Sequence, residues 1–479
     1  MKKKSLLTTL ITGLLFLSCD NYTFPLLPLI YAFPQEITLD DLGTKQNITL
    51  ESTTTWTVLD FPDWITLHNV PEIKEGGKFH IQISAEQNHK SKGRYCEISF
   101  QATGGNTSVI KVWQRPYINV LMVAGGSGYS LALKSDSTVW AWGRNVYGVV
   151  GNGSLPNNAI VRTPSKVNNL AEVTAIAAGN THALALNEKG IVWAWGDNLY
   201  GQLGRYNNMG RERPNPTPQR VVSLLDVTAI AGGLHHSLAL REDGTVWAWG
   251  NNRYGQLGNS NHTGSDHPHP TPVQVAGLVN VTAIAAGYNY CLALMSDGTV
   301  WAWGDNRYGQ LGTGSHFGSH NPRPIPVQVQ NLSGVTAIAA GSTHALALKE
   351  DGTVWAWGEN NCGQIGDHTR YNRFTPVQVL SKVTEVYANY QNSFAIKSDD
   401  TVLGWGRNNF GQLGDGTTTH RSTPVLIDRL SEVMAISGEL HTLALKSNGT
   451  VWVWGRNNYG QLGIGNTTDR IVPVRLRPF

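Results

Sequence analysis

Beyond residue 119 the apolar positions fall into short runs that recur in a fixed order. Each unit opens on a run such as Val227-Thr-Ala-Ile-Ala-Gly-Gly233 and continues with Ser237-Leu-Ala-Leu240. It turns at Asp243-Gly244 and reaches Val246-Trp-Ala-Trp-Gly250. Tyr254-Gly-Gln-Leu-Gly258, a polar loop and the strand-like Pro272-Val-Gln-Val275 complete it. The Trp-Ala-Trp-Gly string begins at Trp140, Trp193, Trp247, Trp301 and Trp355, with degenerate copies at Leu403 and Trp452. The steps are 53, 54, 54, 54, 48 and 49 residues, so the chain carries seven copies of one unit. A period of this size marks a propeller or a solenoid, because a single unit cannot bury its apolar face alone. Four short strands per unit with Gly-rich turns predict an all-β, seven-bladed β-propeller.

The pairs at 243–244, 297–298, 351–352 and 448–449 suit two-residue hairpins with positive φ at both centres. The strand period of two places Trp301 and Trp303 on one face. Thirteen of the sixteen tryptophans lie in the repeats, most of them in such pairs, and this predicts an aromatic core between blades. His182, His236, His344 and His441 share one repeat position, with Tyr129, Tyr290 and Asn392 in the other copies. A residue set by the repeat is set by architecture, so these histidines are expected to be structural hydrogen-bonding groups.

The ordered strings Val-Thr-Ala-Ile-Ala-Ala-Gly, His-Ala-Leu-Ala-Leu, Asp-Gly-Thr-Val-Trp-Ala-Trp-Gly and Tyr-Gly-Gln-Leu-Gly resemble the regulator-of-chromosome-condensation repeat. The resemblance covers about residues 117–479 and implies a seven-bladed propeller. It also implies, at family level, nucleotide exchange on a small GTPase or chromatin binding. Fold alone fixes neither. Some exchange members of that family carry an inserted wedge hairpin, and the longest repeat here exceeds the shortest by only six residues.

The N-terminus points elsewhere. Met1-Lys-Lys-Lys4, the apolar run from Leu6 to Leu17 and Ser18-Cys19 form a secretory signal, too short to span a bilayer. A small residue before Cys19 resembles a bacterial lipobox, although Phe16 stands where that pattern usually has Leu. The expectation is a signal peptide over 1–18, lipidation at Cys19, and an outer-membrane lipoprotein of the bacterial cell envelope, surface-exposed or periplasmic. Removing Lys2, Lys3 and Lys4 takes the basic count from 37 to 34, equal to the 34 acidic residues. A nucleic-acid binder needs a basic surplus to neutralise phosphates, so no nucleic-acid partner is expected. Cys96, Cys291 and Cys362 show no disulfide or metal spacing. Cys291 stands where other copies have Ala or Ser and reads as a small buried side chain.

Residues 19–35, with Pro25, Pro28 and Pro34, read as a tether. The segment 36–116 holds strand-like runs at 47–51, 56–59, 78–83, 95–100 and 108–113, which predict a small N-terminal β-sandwich. Trp56, Pro62-Asp-Trp-Ile65, Asn88, Gly93-Arg94 and Val112-Trp-Gln114 resemble the BACON domain, and the resemblance implies carbohydrate binding. Trp56 and Trp64, with Trp113, are the candidate glycan platforms.

No nucleophile elbow, paired-His zinc helix or phosphate-cradling loop accompanies the repeats, so the expectation is no enzyme, no cofactor and no metal. The repeats differ most in the polar loop. Between its Gly and the next Pro it holds 12 residues at 151–164 and 13 at 204–218, 258–272 and 312–326, against nine in blades five to seven. These loops carry Arg205, Tyr206, Arg211 and Arg213 in blade two, His262, His267 and His269 in blade three, and His316, Phe317, His320 and Arg323 in blade four. Binding residues concentrate on loops held by a rigid scaffold. The sequence therefore predicts a monomeric, lipid-anchored binding protein that offers an asymmetric loop rim to a protein or glycan at the cell envelope. The alternatives are a GTPase exchange factor and an accessory subunit of a carbohydrate-processing system.

Overall fold

The computed structural model describes residues 28–39, 43–72, 74–86, 88, 93–114, 119–211, 213–261, 263–314 and 323–479. Cys19 and the proposed signal lie outside them, as do His262, His316, Phe317 and His320. The chain divides into two compact units, residues 1–118 and 119–479.

The first unit is a two-sheet sandwich of eight strands. One sheet runs β1 (Ile30–Phe33), β3 (Gln46–Ser52), β6 (Gly77–Ala85), β5 (Ile65–His68). The other runs β2 (Glu36–Leu39), β8 (Thr107–Gln114), β7 (Arg94–Ala102), β4 (Trp56–Val58). Alternate residues point inward, as β7 shows with Cys96, Ile98, Phe100 and Ala102 buried. The sandwich begins earlier than the tether reading allows: Ile30 and Ala32 are buried, and β1 pairs with β3 from Ile30↔Ser52 to Phe33↔Thr49.

The second unit is seven four-stranded antiparallel sheets, each built from one repeat in chain order. Blade three shows the pattern, with strands at Val227–Gly232, His236–Arg241, Val246–Gly250 and His269–Gln274. The turn between its second and third strands departs from the expected hairpin. Gly244 has φ +75°, but Asp243 does not share a positive φ. Arg241 N bonds Thr245 O at 2.9 Å and Gly244 N bonds Arg241 O at 3.0 Å, so the loop is three residues long with glycine in its left-handed place. Asp243 Oδ1 accepts from Thr245 N at 3.0 Å and from its hydroxyl at 2.6 Å, and this fixes the turn.

Adjacent blades are joined by one repeated linkage. The second tryptophan of each Trp-Ala-Trp-Gly string is fully buried and donates its indole N–H to a carbonyl of the preceding blade. Trp249 reaches Gln202 O at 2.9 Å, Trp303 Gln256 O at 3.0 Å, Trp357 Gln310 O at 2.9 Å and Trp142 Gln461 O at 2.8 Å. The same carbonyls accept from the small residue after the repeat histidine, as from Ser237 Oγ at 2.9 Å and Thr442 Oγ1 at 2.8 Å. The histidines complete the joint. Nε2 of His182, His236, His344 and His441 lies 2.9, 3.2, 2.9 and 2.7 Å from Ser237 Oγ, Cys291 Sγ, Ser393 Oγ and Ser130 Oγ of the following blade.

Ring closure uses the same joint. The segments 120–126 and 470–475 do not share a sheet: the first is innermost in blade one and the second outermost in blade seven. Val120, Val123 and Trp142 instead pack with Leu443, Val453, Leu462 and Leu476. Phe479 adds its ring against Trp140 and Trp142, at 5.5 and 5.8 Å between centroids.

Blade six breaks the pattern at its joint with blade seven. Five copies carry an aromatic ring at the histidine position in contact with a glycine three residues earlier. A Cβ on Gly179, Gly233 or Gly341 would lie 2.1–2.2 Å from the histidine ring, and one on Gly287 would lie 2.0 Å from Tyr290. Blade six has Asn389 in the glycine's place and Asn392 in the ring's place. Both are buried, at 5% and 0% exposure. Asn389 Nδ2 and both polar atoms of Asn392 lack a hydrogen-bond partner among the described residues.

Two predictions come from these joints. Burial lowers the pKa of His182, His236, His344 and His441 to about 3, from an ordinary 6.5. Between those values the unfolded chain binds protons that the folded chain cannot, so stability is complete above pH 6.5 and falls with pH by about 1.4 kcal/mol per histidine per unit. Melting temperature is expected to drop steeply from pH 6.5 to 4, and a flat profile would refute it. Secondly, Asn389→Gly with Asn392→His restores the consensus pair and removes orphaned buried polar atoms, each costing about 1–3 kcal/mol. The double variant is expected to melt higher than the native chain, and Asn392→His alone lower because its ring meets Asn389. A double-mutant cycle checks the coupling.

Candidate functional site

In a four-stranded meander the first turn and the connection after the third strand emerge at the same end. The seven first turns and the seven polar loops therefore share one face of the propeller.

At the centre of that face the turn residues Ser127, Asn180, Leu234, Tyr288, Ser342, Tyr390 and Glu439 hold one equivalent repeat position. Successive turns are tied by backbone bonds: Ser127 N to Asn180 O at 2.9 Å, Leu234 N to Tyr288 O and Tyr288 N to Ser342 O at 3.0 Å, and Ser342 N to Tyr390 O at 2.8 Å. Seven positions carrying five kinds of side chain are thus displayed around one axis. Tyr288 of blade four donates its hydroxyl to Glu439 Oε1 of blade seven at 2.8 Å, and its ring lies 5.3 Å from that of Tyr390. Burial raises the pKa of Glu439, while the Tyr288 and Ser127 hydrogen bonds and the charges of Arg456 and Arg407 oppose the shift.

A second ring surrounds the first, formed by the residue after each Trp-Gly pair. It reads Arg144, Asp197, Asn251, Asp305, Glu359, Arg407 and Arg456. The acids are committed locally. Asp197 accepts from Leu199 N at 3.0 Å and Thr181 Oγ1 at 3.1 Å, Asp305 pairs with Arg307 at 2.7 Å, and Glu359 accepts from Asn361 at 2.7 Å. The arginines lie over aromatic faces instead: Arg144 over Tyr459 at 4.9 Å, Arg407 over Tyr390 at 5.4 Å and Arg456 over Phe410 at 4.6 Å. The arc from blade six through seven to one is basic, and the arc from two to five is acidic but internally satisfied.

An axial cavity of about 440 Å³ runs beneath these rings, lined by the innermost strands of all seven blades. Its walls are mostly Gly and Ala. Blade six is different, presenting Glu385, Tyr387 and Asn389 where blade three has Ala229, Ala231 and Gly233. Among the described residues no group of three or more His, Cys, Asp or Glu side chains could hold a metal ion.

The rim residues divide. Arg211, Arg213 and His267 are exposed, and Tyr206 is 68% exposed with its hydroxyl 3.2 Å from Thr271 of the next blade. His267 and His269 stand 5.5 Å apart between ring centroids, and Arg323 opens the outermost strand of blade four. Arg205 does not belong to the rim surface: its guanidinium donates to Gln219 of its own blade, and burial lowers its pKa. The central ring went unnoticed in the sequence because it lies inside the repeat, although variation at one position amid constant neighbours was its visible signal.

In the N-terminal unit the candidate platforms divide, and Trp56 is overturned as one. Trp56 is 1% exposed and packs against Phe79 and Phe100, at 5.4 and 5.9 Å between centroids. Trp64 packs against the same core, with the Arg94 guanidinium over its ring at 4.5 Å. Inward alternation along β4 buries Trp56, whereas Trp64 stands in the turn before β5 and is only partly buried. Trp113, on the outward side of β8, is 51% exposed and stacks 4.6 Å from Tyr95.

The sequence matches the RCC1-like domain over residues 102–376 and 280–478. It is 34% identical to the human E3 ubiquitin-protein ligase HERC2 over 281 residues, which is 56% of this chain and 6% of the ligase. Identity to the ultraviolet-B receptor UVR8 of Arabidopsis thaliana is 30% over 253 residues, 52% of this chain and 55% of the receptor. The chain spans about half or less of the length of these curated relatives. Human WBSCR16 superimposes with a TM-score of 0.64 at 25% identity, covering 71% of this chain and 95% of that one. Prp20p of Saccharomyces cerevisiae does so with 0.63 at 23% identity, covering 75% and 88%. With seven meander blades joined by one recurring Trp-to-carbonyl linkage, and a family match across the whole propeller, the chain belongs to the RCC1-like domain family.

Proposed function

We propose that this chain is a lipid-anchored binding protein of the bacterial cell envelope, whose propeller presents its central-ring face to a protein or glycan. The observation that carries this reading is the ring itself. Seven turns share one backbone frame and differ in side chain at one position, while the joints beneath them repeat. Rigid scaffolds with variable displayed residues suit recognition, and Arg and Tyr concentrate at interaction hot spots. Prp20p, described with its binding to Gsp1p and histones, supports the use of this fold for protein partners. The address rests on Lys2 to Lys4, the apolar run and Cys19. The resemblance of the sandwich to the BACON domain supports a surface setting, with Trp113 and Tyr95 as its outward aromatic pair.

Two experiments test this. Cys19→Ala is expected to release the protein from the membrane fraction or leave it unprocessed; membrane retention at the normal mature mass would remove the anchor. Photo-crosslinking residues placed at Tyr206, Tyr371 or Lys349 in intact cells test the face. Crosslinks to a partner are expected from the first two, on the ring face, and not from Lys349 at the opposite end. Crosslinks from Lys349 alone would move the binding surface to that end.

A further inference from the structure

Among the described residues, the joint between blades six and seven is where a side chain, that of Asn392, is buried with both its donor and its acceptor atom unpartnered; the repeat histidines and glutamines of other joints leave one nitrogen each. At other joints a histidine or tyrosine ring fills the space beside a glycine. Here Asn389 and Asn392 fill it, and three of their side-chain atoms are left without partners. The innermost strands of these two blades also make the sparsest approach of any adjacent pair. The joint meets the axial cavity at Asn389, with Glu385, Tyr387, Tyr390, Ser437 and Glu439 also in the wall, while Asn392 is fully buried within the joint and is not part of that wall. Tyr387 spans the joint at one level, donating its hydroxyl to Met434 O at 2.8 Å. Exchanging the glycine and the ring together retains a buried amide pair at a cost that a tight fold would otherwise shed.

We propose that this joint, opening on the axial cavity, binds a neutral hydroxyl-bearing small molecule: a free sugar or polyol, or the exposed end of a glycan. The chemistry selects the class. Asn389 offers its unpartnered amide NH2 group at the cavity wall, and Asn392, buried within the joint, an unpartnered NH2 group and carbonyl oxygen, a set that hydroxyl groups answer in both directions. The nearby carboxyl of Glu439 is already faced by Arg407 and Arg456, so no net charge is required of the ligand. The tilted Tyr288–Tyr390 pair supplies apolar faces for C–H groups. A volume of about 440 Å³ lies within the range of small-molecule sites, roughly 300–1,000 Å³. This site lies beneath the ring face and shares Tyr288, Tyr390 and Glu439 with it, but Asn389 and Asn392 belong to the joint alone, so their exchange tests the site without altering the displayed ring.

The test uses the full chain with glycerol, glucose, N-acetylglucosamine, cellotriose and chitotriose, read by ligand-observed NMR and by thermal shift. At least one probe is expected to bind saturably. Asn389→Gly with Asn392→His puts back the glycine and ring of the other blades; it is expected to weaken binding at least tenfold while leaving the protein folded and melting higher. Tyr95→Ala with Trp113→Ala, in the N-terminal unit, is expected to leave binding unchanged. Binding of the monosaccharide alone identifies a free sugar, and trisaccharide binding of equal or greater strength identifies a glycan end. The proposal is overturned if no probe saturates or if the restored-consensus variant binds as well as the native chain. Loss of binding in the Tyr95/Trp113 variant, or tighter binding when glucosamine or glucuronate is added to the same probe series, overturns it equally.

Discussion

The propeller rests on the hydrogen bond from a buried indole to a glutamine carbonyl of the preceding blade. A tryptophan removes roughly 150–250 Å² of surface from water when buried, about 4–6 kcal/mol at ~25 cal/mol per Å². That gain has no direction. The indole N–H supplies direction, because in a dry joint it must find an acceptor, and the carbonyl at Gln202, Gln256, Gln310, Gln364, Gln412 or Gln461 is the one in reach. Blade two keeps the bond with Val149 O, which shows that the backbone atom and not the glutamine side chain is what the joint needs.

Because every joint is made by the same groups, the end faces are free to vary. The Tyr-Gly-Gln-Leu-Gly loop is pinned from within by an asparagine such as Asn252, whose Oδ1 accepts from Leu257 N at 2.9 Å and whose Nδ2 donates to Asn261 O at 2.7 Å. Immediately before that asparagine, the ring position carries Arg, Asp, Asn or Glu with no consequence for the joint. Stability and recognition are therefore separated by a few ångströms along each blade. Blade six is where the separation fails, since the exchange of glycine and ring for two asparagines enters the joint itself.

The N-terminal unit makes the contrasting case. A small sandwich has too little interior to spare large aromatics for display, and Trp56 is spent on its core with Phe79 and Phe100. Residues on the outward sides escape, Tyr31 and Phe33 on β1 among them, and Tyr95 and Trp113 meet on β7 and β8 across the register.

The sequence by itself determined the fold, since a repeat of about fifty residues with four strand-like runs and paired tryptophans has one economical way to bury its apolar faces. It also determined that the histidines are structural and that Cys291 is a small buried group, because repeat position dictates environment. It misjudged the hairpin, where Asp-Gly permits two turn types and the strand register chose the longer loop. It misjudged Trp56, because a tryptophan in a strand reads alike whether it points in or out. Loop length drew attention to Tyr206, Arg211, Arg213 and His267, whereas the central ring, the committed acids and the stacked arginines depend on residues some fifty positions apart being wrapped about one axis. That convergence, and the orphaned asparagines at a single joint, belong to the closed ring: distances between blades exist only once all seven have packed.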